Sequence, residues 1–169
     1  MIIAWTGHRP DVFADARAAR DAVERVASAV LGRVRPAEFI SGGQRGVDQW
    51  AASAALARGV PFHLVLPMPV ARFCAGWTAA ERATLEALLA RAASVEIVDS
   101  SGALGSLAYD LRNEAVVRRA DLLVAVWTGM RRGGTFHTIC TAWALGVPVE
   151  ETLLEGSGEG LQGTRGRGL

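Results

Sequence analysis

The chain has 169 residues, is 50% hydrophobic and sets 18 Lys and Arg against 17 Asp and Glu, for a net charge of +1. That length fits one domain with a full core, and the balanced charge leaves no global electrostatic case for a duplex or membrane-surface binder. Two cysteines without metal-ligand spacing, no apolar run near the roughly 18–20 residues of a bilayer span and no export-type amino terminus lead us to expect a reduced, cytoplasmic protein with no membrane partner.

Ile2 to Thr6 is a short apolar run and reads as the first strand. It ends in Thr6-Gly7-His8-Arg9-Pro10, where the proline holds His8 and Arg9 in a turn. A histidine there serves either as a hydrogen-bonded structural group or as an acid–base group. Ala16, Ala19, Val23, Val26 and Val30 then recur at helical spacing. The strand–helix unit repeats as strand Ala37 to Ser41 with helix Arg45 to Arg58, and strand Pro61 to Pro67 with helix Trp77 to Ala92. Next come strand Val95 to Asp99 with a helix from about Ser106 to Arg119, strand Asp121 to Trp127 with helix Thr135 to Leu145, and a short strand near Val147 to Glu150. Continuously apolar strands alternating with helices predict an α/β fold, a Rossmann-like doubly wound, mostly parallel sheet with helices on both faces. Residues 1–154 form that domain, and the Gly-rich stretch 155–169 is expected to be a flexible tail.

In such a sheet the turns at the carboxyl ends of the strands share one edge, where ligands bind. Besides the first, two glycine turns reach it: Ser41-Gly42-Gly43-Gln44-Arg45-Gly46-Val47-Asp48 and Gly133-Gly134-Thr135. Glycines opening a helix bare its amide groups at the positive end, the arrangement that holds a phosphate. Arg45 is expected to fork onto that phosphate, and Thr135 to cap its helix or bind the same group. Asp48 has three readings: a favourable charge at a helix start, an acceptor for ribose or base, or a carboxylate that assists bond cleavage. Arg112 and Asn113 share a helix with the apolar positions Leu107, Leu111, Val116 and Val117, and form either a solvated face or a cleft wall. Trp5 and Trp127, near strand ends, either cap the core or stack on a base, Trp77 could close one side of the crevice, and Trp50 and Trp143 are expected in the core. His63 reads as structural and His137 lies beside the second glycine pair. No metal-ligand trio and no Gly-x-Ser-x-Gly elbow occurs, so no metal is expected.

Taken together, Thr6-Gly7-His8-Arg9-Pro10, Ser41-Gly42-Gly43 with Gly46-Val47-Asp48, Arg112-Asn113, and Asp121 to Trp127 followed by Gly133-Gly134-Thr135 resemble the SMF/DprA-LOG (SLOG) superfamily, and within it the YpsA-like, DUF1273-type proteins. The resemblance spans residues 2–150. It implies a Rossmann-like domain binding a nucleotide or nucleotide-derived ligand at the carboxyl edge of its sheet, commonly as a homo-oligomer. No further cofactor is implied. The leading expectation is nucleotide binding, as a sensor, through Thr6, Gly7, His8, Arg9, Ser41, Gly42, Gly43, Arg45, Gly46, Asp48, Arg112, Asn113, Gly133, Gly134 and Thr135. A first alternative is an N-glycosidase similar to the cytokinin-activating phosphoribohydrolases, but their Pro-Gly-Gly-x-Gly-Thr-x-x-Glu motif places Thr138 where the glutamate belongs, leaving Asp48 or Glu114 to stand in. A second is a single-stranded DNA-binding module like DNA processing protein A, whose turn resembles Ser41-Gly42 with Arg45-Gly46-Val47-Asp48.

Overall fold

The computed structural model describes residues 1–35 and 37–158. The elements run β1 (Ile2–Gly7), α1 (Ala16–Arg33), β2 (Glu38–Ser41), α2 (Val47–Ala57), β3 (Phe62–Leu66), α3 (Val70–Phe73), α4 (Ala79–Leu89), β4 (Ser94–Ile97), α5 (Leu107–Arg118), β5 (Leu122–Trp127), α6 (Gly133–Ala144) and β6 (Val149–Leu153). The strands form one sheet in the order β4-β3-β2-β1-β5-β6, and every pairing is parallel. This is the α/β, Rossmann-like sheet that the alternating pattern predicts.

Successive strand residues point to opposite faces, so each apolar strand feeds two cores. Ile3, Trp5, Phe39, Leu64 and Leu66 pack with Val23 and Val30 of α1, Ala51 and Ala55 of α2 and Leu85 of α4. Ala4, Ile40, Val65, Leu123 and Ala125 pack with Val116 and Val117 of α5 and Ile139 and Ala142 of α6. Full burial of each large apolar side chain contributes about 1.5–3 kcal/mol.

Local signals set the helix starts. The Asp15 carboxylate accepts from the amides of Arg17 and Ala18 to cap α1. Thr78 and Glu81 close a capping box on α4. No helix among the described residues is long and apolar enough to cross a membrane.

Some expectations are corrected. Trp143, expected in the core, is 55% exposed, because the buried stripe of α6 runs through Thr135, Thr138, Ile139 and Ala142. Residues 155–157, at the start of the expected tail, contact the domain. The Ala14 amide donates to the Glu155 carbonyl at 3.0 Å, the Ser157 amide donates to the Val12 carbonyl at 2.9 Å, and Phe13 and Gly156 bridge antiparallel. These bonds hold 155–157 against the segment that follows β1, whereas residues 159–169 of the expected tail lie outside the described residues. Two elements went unforeseen: a single 3-10 turn at Pro10–Val12 and the short α3.

Candidate ligand-binding cleft at the switch point

The chain order leads from β1 through α1 to β2 on one side, and from β5 through α6 to β6 on the other, so the strand order reverses between β1 and β5. The loops diverge there, and a cleft of about 660 Å³ opens at the carboxyl ends. Of the expected site residues, Thr6, Gly7, His8, Arg9, Gly42, Asp48, Arg112, Asn113, Gly133, Gly134 and Thr135 line it. Ser41, Gly43, Arg45 and Gly46 do not.

The first glycine turn is closed upon itself. Gly46 has φ +92°, and a Cβ there would lie 2.3 Å from the His8 carbonyl oxygen, so only glycine lets α2 start this close to the end of β1. The Val47 amide donates to that same carbonyl at 3.3 Å. The Asp48 carboxylate turns back to accept from the Gln44 amide at 3.2 Å, and the Gly42 amide steadies it too. Ser41 donates its hydroxyl to the Asp48 carbonyl. The Gly42 and Gln44 amides, donors that a phosphate would use at this turn, are thus engaged by the chain's own carboxylate, and the Arg45 amide by the Gln44 side-chain oxygen.

The basic groups nearby are likewise committed. Arg45, expected to grip a phosphate, instead donates to Glu81 at 2.7 Å and lies over the Trp77 ring, 5.1 Å from its centroid. Trp77 therefore packs against Arg45 and Phe73 and does not line the cleft. Arg112 donates to the Gly42 carbonyl and stands 3.6 Å from the Asp48 carboxylate. A Cβ at Gly42 would fall 1.6 Å from the Arg112 guanidinium, so the missing side chain is the space the guanidinium fills. Burial pushes the Asp48 carboxyl above its ordinary range, against the opposing pull of Arg112.

The second glycine turn is open. No side chain caps α6, and the amides of Gly133, Gly134 and Thr135 have no acceptor among the described residues. Arg132, just before them, also lines the cleft. Asn113 on α5 is only 8% exposed, and its side-chain amide has no hydrogen-bond partner among the described residues. Its Nδ2 lies 3.9 Å from where a Cβ would stand on Gly134, against the first turn of α6. Arg112 Nε is buried without a partner as well.

His8 links the two sides. Its Nε2 is 3.1 Å from Thr128 Oγ1 and its Nδ1 3.4 Å from Thr135 Oγ1, with Phe13 edge-on at 5.7 Å. Burial holds its pKa below the ordinary imidazole value. Thr138 donates its hydroxyl to the Gly134 carbonyl at 2.8 Å. His63 bridges Glu38 and Ser94 away from the cleft, and His137 faces Asp110 at 3.4 Å. Trp5 packs on Phe39, and Trp127 stacks on Phe136 while donating its indole N–H to Glu151.

Sequence reading missed Gln44, Tyr109, Asp110, Met130 and Arg132, all of which line the cleft. Arg132 was detectable as a basic residue directly before a glycine pair. Tyr109 was detectable too, because it stands one helical turn before Arg112, whose guanidinium lies 5.9 Å from its ring centroid.

No family profile matches this chain, and no curated protein matches it significantly. Solved structures do. The structural-genomics protein TM1055 is 18% identical over 88% of this chain and 71% of that one, with a TM-score of 0.59. DNA processing protein A from Streptococcus pneumoniae is 17% identical over 88% of this chain, with a TM-score of 0.64. This chain spans 49% of that protein. DNA processing protein A from Helicobacter pylori, a structure described for its single-stranded DNA binding mode, is 16% identical over 95% of this chain and 70% of that one, with a TM-score of 0.68. The fold is shared with DNA processing protein A. At these identities the likeness is one of fold, and it agrees with the Rossmann-like domain that the SLOG resemblance implies.

Proposed function

We propose that this chain is a YpsA-like SLOG protein that binds a nucleotide or nucleotide-derived ligand in the switch-point cleft, its phosphate on the first turn of α6. The observation that carries this reading is the set of acceptor-free amides at Gly133, Gly134 and Thr135, with the Asn113 side chain beside that first turn and the buried Arg112 Nε without a partner on the cleft wall. A helix amino terminus favours an anion electrostatically, and glycines let it approach the backbone. Arg9 and Arg132 add positive charge at the cleft wall. The Asp48–Arg112 pair, ordered beneath Gly42, supplies fixed polar groups for ribose or base. Binding, with sensing as its use, has more support than turnover. Thr138 occupies the position of the phosphoribohydrolase glutamate and spends its hydroxyl on Gly134, while Glu114 pairs with Arg118 outside the cleft lining.

A thermal-shift series with nucleoside mono-, di- and triphosphates tests the reading. A ligand at about 100 times its Kd stabilises the folded state by about 2.7 kcal/mol. We expect that rise in the wild type and in Arg45→Ala, and its loss in Gly134→Val, whose side chain fills the anion position. No rise with any nucleotide sinks the reading.

A second reading, single-stranded DNA binding, draws on the two DNA processing protein A structures. It predicts an affinity for short oligonucleotides that falls steeply with added salt, because phosphate contacts release counterions.

A further inference from the structure

The Thr135 hydroxyl stands at the α6 anion position, with His8 Nδ1 behind it at 3.4 Å and Thr128 Oγ1 on the ring's far side at 3.1 Å. Both ring nitrogens therefore face hydroxyls, which donate or accept as needed. When Nδ1 is unprotonated, Thr135 turns its proton toward the ring and offers an incoming anion only a lone pair. When both ring nitrogens carry protons, both hydroxyls accept, and the Thr135 proton is free to donate into the cleft. A proton on Nδ1 thus turns Thr135 into a donor in the cleft that Gly133 and Gly134 also line, and in the doubly protonated ring that donor is accompanied by a positive charge.

We propose that His8 is the specificity-determining residue that makes this site select a doubly charged terminal phosphate, a phosphomonoester, over the singly charged diester of a nucleic-acid backbone, by taking up a proton as the dianion binds. The inference rests on the nucleotide reading above and narrows its ligand class. Charge balance supports it. The cleft already presents Arg9, which faces Asp11 at 3.8 Å, together with Arg132, the mutually compensated Asp48–Arg112 pair, and Asp110 opposite His137. The rings of Phe13 and Trp127 that pack on His8 carry no charge. A monoanion is met by these cations and the helix end alone. A dianion brings a further charge close to the imidazole and favours its protonated form, which burial otherwise disfavours.

Sulfate and methanesulfonate separate the effects, being tetrahedral anions of fixed double and single charge whose own protons do not enter the balance. The His8 ring is followed by NMR through a pH titration of the labelled full chain at constant ionic strength, with His63 and His137 as internal references. We expect sulfate to raise the His8 midpoint by about one pH unit, and therefore to bind about tenfold more tightly to the protonated protein. Methanesulfonate leaves the midpoint in place. In His8→Gln, sulfate affinity loses its pH dependence, and in Thr135→Val, which keeps the imidazole but not the hydroxyl, the dependence is reduced. Adenosine 5′-monophosphate should then behave like sulfate, and its methyl ester like methanesulfonate. Equal movement of His8 by both anions, or sulfate binding that leaves His8 unmoved, overturns the selection while leaving the nucleotide reading standing. Failure of sulfate, methanesulfonate and adenosine monophosphate all to bind overturns both.

Discussion

The Asp48 carboxylate and the Arg112 guanidinium face each other at 3.6 Å below Gly42, with side chains 9% and 8% exposed. Each belongs to a different layer: Asp48 to α2 on one face of the sheet, Arg112 to α5 on the other. The pair therefore fastens the two helical layers together at the cleft floor, and a buried charge that loses its partner is costly.

Removing one partner tests that fastening. Arg112→Met strands the buried Asp48 carboxylate and should lower unfolding free energy by about 3–5 kcal/mol. Asp48 already has a raised pKa, and losing Arg112 raises it further. A group whose folded pKa is raised contributes stability at low pH that is lost as pH rises through that value. Urea midpoints of Arg112→Met should therefore fall more steeply with rising pH than those of the wild type.

Glycine positions separate steric from entropic roles. A Cβ at Gly7 would meet the Val126 carbonyl oxygen at 2.3 Å and the Val47 side chain at 2.4 Å, between β1, β5 and α2. Gly7→Ala should cost at least about 1–3 kcal/mol, the usual range for overpacking. Gly32 lies in α1 with nothing near its missing side chain, so Gly32→Ala should stabilise by about 0.5–1 kcal/mol. Chemical denaturation of both variants reads the contrast.

Acidification should weaken the protein through His8. Its folded pKa lies below the unfolded value of 6.5, so its contribution is complete above that pH and is lost as pH falls below it. Between about pH 7.5 and pH 5.5 acidification should lower the melting temperature of the wild type relative to that of His8→Gln, which keeps the opposing, stabilising contribution of Asp48. Asp99 is held low by its bonds to the Ser101 hydroxyl and the Leu104 amide, so its loss comes only below about its ordinary 3.8 and does not mask the effect.

Helix α5 inverts the usual rule. Arg112 and Asn113 are buried, while Leu107 and Leu111 are 51% and 36% exposed. Leu107→Lys should change stability by no more than about 0.5 kcal/mol, whereas Val116→Lys, which places a charge in the core between α5 and the sheet, should prevent folding. Circular dichroism melts distinguish the two.

That inversion marks how far the sequence could be read. The strands were legible because parallel strands buried on both faces are continuously apolar, as in Leu122–Trp127. Two apolar residues a turn apart, such as Leu107 and Leu111, carry the same signal whether they face a core or solvent, and only the fold shows that α5 turns its polar side to the cleft. The glycine turns were legible too, but not their state of occupation. An arginine in a turn can swing to a ligand or to a neighbouring helix, and the choice at Arg45 was made by Trp77 and Glu81, more than thirty positions along the chain. Asp48 looked the same whether it was to meet a ligand or to fill the turn itself.

The pairing of Glu155–Ser157 with Asp11–Ala14 gives the molecule a handle. Ser157 bonds to Val12, a cleft-wall residue, whereas the carbonyl of Met1 bonds to Glu38 at the opposite edge of the sheet. A fluorophore attached at position 157 sits within sight of any ligand that enters, and one attached at Met1 is screened from it by the full length of β1. Positions 157 and 1 thus furnish a reporter and its built-in control.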